Sequence, residues 1–363
     1  MRKQRIGNLT FYNTLNYGAA LQCFSLNRFL REAGYDCSVI RYDCEAVRYR
    51  EMPQYFFKTK DLKKMVKGML SFPYKVKKKK NFDAFFHAHI PHSDQSYNRQ
   101  NIENANQVFD TFLFGSDQIW NPVVTKSDLT FYADFAGQDK RKVAYAASFG
   151  DSYAQTYYSE EMRAGISRFH AISVREKKGA DFVRTLTGKN CTPVCDPVFL
   201  TDRQTWCDMQ KTVPTKKKYV LVYFIHYDHN RTMAKTKEFA KEQGYDVIYI
   251  NNTYKLEKGV INYRSLGPQE FLYLINHAEA VVTGSFHGLC FSLIFRKRVF
   301  FEMPKTETSR LSELATLVGL QDKTVDNLNT ETPFNYEKVS HALKPMIEGS
   351  KAFLKNALQE KEH

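Results

Sequence analysis

The sequence predicts an α/β protein built from two units in tandem, each a parallel sheet with crossover helices. Three observations point to it. Short apolar runs alternate with stretches of helical spacing, the pattern of strand–helix–strand crossovers. The series pauses at one polar stretch, 211–218, and then begins again. The length, 363 residues, suits about two domains, and 43% hydrophobic with 14% aromatic residues supplies cores that need no disulfide or metal staple.

Taken in order, residues 5–11 (RIGNLTF) read as the first strand. Residues 18–33 carry Ala20, Leu21, Phe24, Leu26 and Leu30 at helical spacing and stop at Gly34, so they read as a helix. Residues 37–42 form a second strand, and a lysine-rich interruption fills 48–100. Further strands are expected over 108–114, 142–147, 171–174 and 192–195, with helices over 160–169 and 177–186. After the polar stretch, strands over 219–225, 246–251, 280–283 and 298–302 alternate with helices over 232–243, 268–276 and 289–295. A helix over 309–318 follows, and the tail from about 336 is helical. With the boundary near 205–217, the N-terminal domain is 1–205, carrying the basic insertion 48–100, and the C-terminal domain is 206–363.

The charge balance is +14, which favours an anionic partner. The seven cysteines form no disulfide framework, and Cys191 and Cys195 are too far apart in sequence for a CxxC pair. An odd count with no secretory signal points to a reducing cytoplasm, and no apolar run reaches the roughly 18 residues of a membrane span. No RNA-recognition or finger motif accompanies the lysines, which argues against nucleic acid as the partner.

Four polar turns fall at the carboxyl ends of predicted strands, where open α/β sheets bind ligands. In AVVTGSFHGLCFSLIF (280–295), His287 lies between a strand and a helix start, flanked by Gly284 and Gly288. An imidazole there can move a proton near neutral pH, and a helix start attracts anions. The plainer reading is a histidine that fills a corner. In TFYNTLNYGAALQ (10–22), Asn13, Asn16, Tyr17 and Gly18 can face a ligand or simply make a turn. In FLFGSDQIWNP (112–122), Asp117, between Ser116 and Gln118, can orient or deprotonate a hydroxyl, or can cap a helix. In ISVREKKG (172–179), Arg175 can grip a phosphate or pair with Glu176 or another surface acid.

With these motifs assembled, the sequence resembles the polysaccharide pyruvyl transferase family. The resemblance runs through IGNLTFYNTLNYGAALQ, FGSDQIWNP, KVAYAASFG, ISVREKKGA, CDPVFL, VVTGSFHGLCFSLIF and ETSRLSEL in that order, and is weak over 48–100 and after about 330. It implies two Rossmann-like domains facing a cleft, as in GT-B glycosyltransferases. The N-terminal domain would be the acceptor side and the C-terminal domain the donor side. It implies phosphoenolpyruvate as donor and a sugar whose two hydroxyls become bridged by a pyruvate ketal, with no separate cofactor. The family histidine maps onto His287 and the phosphate-binding arginine onto Arg175. Some relatives have arginine two residues before the histidine; here the residue is Ser285. Gly288 at the helix start, Lys305 and Arg310 are the candidates to supply the missing donor contact. Asn13, Asn16, Tyr17, Gly18, Ser116 and Gln118 are the acceptor candidates.

The chemistry suits these residue types. A proton delivered to the methylene carbon of an enol phosphate makes an oxocarbenium-like centre, which a sugar hydroxyl attacks. Phosphate leaves and a second hydroxyl closes the ring. His287 suits the acid step and Asp117 the hydroxyl. No metal is expected: HAHIPH (87–92) and HYDH (226–229) match no standard ligand spacing. Residues 58–82 hold ten lysines, with Met65, Val66, Met69, Leu70 and Phe72 near helical spacing among them. Such a helix either stays solvated on its own domain or lies on an anionic membrane. The latter would suit an acceptor carried on a polyprenyl diphosphate at the inner face of the cell membrane. A GT-B glycosyltransferase with a nucleotide-sugar donor is the alternative, with Glu302 at a strand end as its ribose partner.

Overall fold

The computed structural model describes residues 4–53, 60–150, 152–225, 229–302, 310–329 and 333–359. Twelve strands and twelve helices alternate along these residues, and every strand pairing is parallel. The chain divides into two compact units. The first comprises Met1–Glu51, Phe86–Thr201 and Lys344–His363, the second Met52–Phe85 and Asp202–Leu343.

The first unit is built on seven strands: β1 (Arg5–Leu9), β2 (Asp36–Tyr42), β3 (His92–Tyr97), β4 (Thr111–Phe114), β5 (Arg141–Ala147), β6 (Ala171–Val174) and β7 (Thr192–Pro193). Their order in the sheet is β3-β2-β1-β4-β5-β6-β7. The helices of this unit are α1 (Tyr17–Glu32), α2 (Glu45–Glu51), α4 (Pro122–Thr125), α5 (Glu160–Ser167) and α6 (Lys177–Thr187). Strands β1 and β4 to β6 are almost wholly buried, which is why their sequences are runs of apolar residues without alternation. An aromatic cluster around Phe112, Trp120, Phe131 and Phe149 fills one core of this unit.

The second unit holds β8 (Tyr219–Tyr223), β9 (Asp246–Ile250), β10 (Ile261–Tyr263), β11 (Ala280–Thr283) and β12 (Arg298–Phe301), ordered β10-β9-β8-β11-β12. Its helices are α7 (Arg203–Asp208), α8 (Asn230–Gln243), α9 (Pro268–His277), α10 (Phe286–Ile294) and α11 (Arg310–Leu317). The long helices α3 (Leu62–His89) and α12 (Tyr336–Leu358) each carry the chain from one unit into the other.

Both sheets have the doubly wound order of a Rossmann-like fold. In each, winding reverses direction at one place: between β1 and β4 in the first unit, and between β8 and β11 in the second. A sheet wound this way opens a crevice at the carboxyl ends of the two strands flanking the reversal. The turns after β4 and β11 are two of the four singled out above.

The structure departs from the sequence reading in several places. The basic stretch 48–100 contains α3 and the edge strand β3, whose polar sequence HSDQSY hides it because only two of its residues are buried. Residues 52–85 group with the second unit, and the tail from Lys344 groups with the first. Hydrogen bonds explain both. In the second unit, Lys78 Nζ donates to Asn252 Oδ1 at 3.0 Å and Asn81 Nδ2 to the Ser265 carbonyl at 2.7 Å. In the first, the Cys195 amide donates to Ser350 Oγ at 2.8 Å and Arg141 Nε to the Ala357 carbonyl at 2.6 Å. Strand β4 begins at Thr111 rather than 108, because Val108 closes a short 3₁₀ turn over Ile102–Gln107. Helix α10 starts three residues earlier than its apolar pattern indicates, which places His287 inside its first turn.

Candidate active site

In the first unit the site residues gather at the carboxyl ends of β1, β4 and β6. Thr10 and Gln22 hold the turn after β4. The Ser116 amide donates to Gln22 Oε1 at 3.2 Å, Thr10 Oγ1 donates to the Ser116 carbonyl at 3.0 Å, and Gln22 Nε2 donates to Thr10 Oγ1 at 3.0 Å. The Gly115–Ser116 peptide is cis, and Gly115 has φ +123°. A side chain at Gly115 would meet the Tyr145 carbonyl oxygen at 2.1 Å, so glycine is required there. Asp117 follows with φ +71°, a conformation that costs a non-glycine residue energy and recurs at functional turns.

Asp117 Oδ1 accepts its neighbour's amide, from Gln118, at 2.9 Å and lies 3.8 Å from Arg175 Nη2. Arg175 Nη1 in turn donates to Asp196 Oδ2 at 2.7 Å. The side chains of Arg175 and Asp196 are 2% and 0% exposed, so this is a buried pair and not the surface pair weighed from sequence. Burial by itself opposes charge on the guanidinium, but Asp196, Glu176 and Asp117 outweigh it and hold the arginine pKa above its usual value. Glu176 is buried as well and accepts the Ser148 hydroxyl. Asp117 and Arg175, which stand apart in the sequence, are brought together by the fold, which adds Asp196, Gln22 and Thr10. The first of these was visible only as the aspartate of CDPVFL.

The other acceptor candidates divide. Asn13 is partly exposed and borders a cavity of about 10 Å³ shared with Thr10, Tyr42 and Arg48. Tyr42, Asp43 and Arg48 also line a neighbouring pocket of about 710 Å³, together with Tyr49, Arg99 and Lys126, at the carboxyl ends of β2 and β3. Asn16 caps α1, its Oδ1 accepting the Ala19 amide at 3.3 Å. Tyr17 and Gly18 are buried at the start of that helix, and Ser116 is buried with its hydroxyl donating to the Ala146 carbonyl at 2.7 Å. These three shape the turns rather than present groups to solvent. Gln118 Oε1 accepts from Asn121 Nδ2 at 2.8 Å.

In the second unit the turn after β11 is built on Thr283. Its Oγ1 donates to the Tyr223 carbonyl on β8 at 2.6 Å and accepts the Ser285 amide at 3.0 Å. Ser285 caps α10, its Oγ accepting the Gly288 amide at 3.3 Å. Gly288 is needed for packing: a Cβ there would lie 2.3 Å from Thr283 Oγ1. Gly288, a candidate donor contact from sequence, thus makes room for a threonine. His287 occupies the second helical position and is 6% exposed. The Arg310 guanidinium lies 5.9 Å from the ring centre of Phe286, the residue before His287. Lys305 lies outside the described residues.

A second histidine stands at the same strand ends. His229 stacks on Phe224 with ring centres 3.8 Å apart, and its Nδ1 is 2.8 Å from Glu302 Oε2. Phe224 in turn lies beside Gly284, where a Cβ would come within 3.1 Å of it. Residues 226–228 of HYDH lie outside the described residues. In HAHIPH, the His87 and His92 rings are 5.2 Å apart. Among the described residues no group of three or more His, Cys, Asp or Glu is arranged to hold a metal ion.

Two Rossmann-like units, each with a polar turn at its winding reversal, give a GT-B type fold. Similar solved structures agree. S. aureus MnaA with UDP shares 12% identity and a TM-score of 0.52 over 99% of both chains. Anabaena HepE in complex with UDP and glucose shares 10% identity and 0.51, over 98% of this chain and 99% of that one. The UDP-GlcNAc 2-epimerase from Neisseria meningitidis shares 10% and 0.50, over 99% of this chain and 95% of that one. At these identities the likeness is one of fold. No curated protein matches the chain in sequence. The family model for polysaccharide pyruvyl transferase matches residues 16–301, and the chain belongs to that family.

Proposed function

We propose that this transferase takes phosphoenolpyruvate as donor and closes a pyruvate ketal across two hydroxyls of a sugar. The sugar would belong to a surface polysaccharide or to its polyprenyl-diphosphate-linked precursor, and the reaction would run in the cytoplasm. The observation that carries this reading is the family match together with His287 in the first turn of α10, at the winding reversal of the second sheet. In that unit His287 delivers the proton to the methylene carbon, and the start of α10 with Arg310 and Lys305 receives the phosphate. In the first unit Asp117 orients and deprotonates the attacking hydroxyl.

Arg175 was expected to clamp the donor. Its commitment to Asp196 favours a different part, holding Asp117 in place. Ser285 caps α10, which supports a part in shaping the helix start that receives the donor. The pocket of about 710 Å³ beside the Asn13 turn supports an acceptor role for the first unit. The atoms balance without any cofactor. One proton is gained at carbon and one lost from each hydroxyl, two C–O bonds form, and the bond to phosphate breaks. The nucleotide-sugar alternative rests on Glu302, one of whose carboxylate oxygens is engaged by His229, and the family match favours the ketal reading over it.

Thermal unfolding with and without phosphoenolpyruvate tests the donor. Stabilisation of the wild type that His287→Gln diminishes is the expected result; stabilisation by a nucleotide sugar and none by phosphoenolpyruvate overturns the reading. In turnover, His287→Gln is expected to lose about 10²–10⁴-fold in kcat. A folded variant with normal turnover removes the acid assignment.

A further inference from the structure

Helix α3 is amphipathic the wrong way round for a helix that only covers its own domain. At about 100° per residue, Leu62, Val66, Met69, Leu70 and Val76 fall on one face. That face is exposed: Leu62 at 67%, Leu70 at 58%, Met69 at 55%. The opposite face packs into the second unit, and it carries Ser71, Lys78, Phe82 and Phe85, all buried. Lys78 is held there by Asn252, and Tyr74 lies under the Arg264 guanidinium at 4.2 Å. The helix therefore buries a lysine and a serine while its leucines face outward. Water does not select that arrangement, since each exposed leucine forgoes the stabilisation its burial would bring.

On and beside that face stand Lys63, Lys77 and Lys80, all exposed. We propose that this face of α3 docks on an anionic lipid bilayer, its apolar side chains entering the headgroup boundary and its lysines meeting acidic headgroups. Long lysine side chains reach the polar layer while their stems stay with the apolar surface. Among the described residues no helix is long and apolar enough to cross a membrane, so the mode is attachment and not insertion. A second copy of the chain is the poorer occupant, because two such faces would set their lysines against each other. The inference goes beyond the donor and acceptor assignments and does not need them.

The test is flotation of the full chain with phosphatidylglycerol-containing vesicles and with pure phosphatidylcholine vesicles. It is run at about 50 mM and about 500 mM salt, where the screening length differs severalfold. Two variants accompany it, Val66→Asp/Leu70→Asp and Lys63→Gln/Lys77→Gln/Lys80→Gln. All five positions are exposed, and circular dichroism checks that both variants fold. The wild type is expected to float with the anionic vesicles at low salt, and each variant to bind at least tenfold more weakly. Absence of flotation with anionic vesicles at low salt overturns the proposal. So does undiminished flotation of the Val66→Asp/Leu70→Asp variant. A wild-type dimer in sedimentation that this variant dissociates assigns the face to a second copy instead. Phosphoenolpyruvate stabilisation, measured on the same proteins, reads the donor assignment separately.

Discussion

Asp117, Arg175 and Asp196 form a short buried chain of charge in which the arginine answers two carboxylates. Removing one carboxylate from such a group strands a charge in a medium that solvates it poorly. Asp196→Ala is therefore expected to destabilise the protein by about 3–5 kcal/mol, read from urea unfolding. Asp117→Asn leaves the Arg175–Asp196 bond intact and is expected to lower kcat with little change in stability, a separation the same two measurements resolve. His170 sets a pH dependence. Its Nδ1 accepts the Lys142 amide at 3.1 Å, so a proton at that nitrogen breaks the bond. Burial, followed by the nearby Arg141 and Lys142 charges, lowers its pKa below the usual histidine value of about 6.5. As pH falls through that value the unfolded chain takes up the proton first, so stability is lost on the acid side. The thermal midpoint is expected to fall between about pH 7 and pH 5.5, and His170→Gln to flatten that fall.

Helix α10 joins the site to the sheet through its cap. Ser285→Ala leaves the Gly288 amide without its acceptor and is expected to cost about 1 kcal/mol. Gly288→Ala drives a methyl into Thr283 Oγ1, which cannot retreat because it is bonded to both the Tyr223 carbonyl and the Ser285 amide. A loss of about 1–3 kcal/mol is expected, measured by thermal or urea unfolding. The two variants also read function, since both disturb the turn that orients His287. The early start of α10 was hidden because Ser-Phe-His-Gly continues no apolar stripe; the cap, visible as a serine three residues before Gly288, was the signal available.

The two units are interleaved along the chain, not laid end to end. The first unit contains the chain's start, its middle and the last helix from Lys344 on, where Leu354, Ala357 and Leu358 are buried and Ser350 bonds Cys195. Ending the chain at Leu343 is expected to expose Tyr145, whose ring centre lies 6.3 Å from that of Phe353, and to leave Cys195 N–H without its acceptor. Limited proteolysis is expected to cut such a chain within the first unit before the second.

By itself the sequence determined the class of the molecule. Buried parallel strands are written as unbroken apolar runs, helices as a 3.6-residue period, and both signals are local, so nearly every central strand and most helices could be read directly. The same locality placed His287, Asp117 and Arg175 at strand ends. What the sequence could not carry is anything that depends on residues distant in the chain. The pairing of Arg175 with Asp196, the bond from His229 to Glu302, the edge strands β3 and β10, and the passage of α3 and α12 from unit to unit were decided by the tertiary structure alone. Hydrogen bonds and charge pairs are satisfied in space, and an edge strand or a polar inward face is stabilised by its neighbours rather than by its own composition.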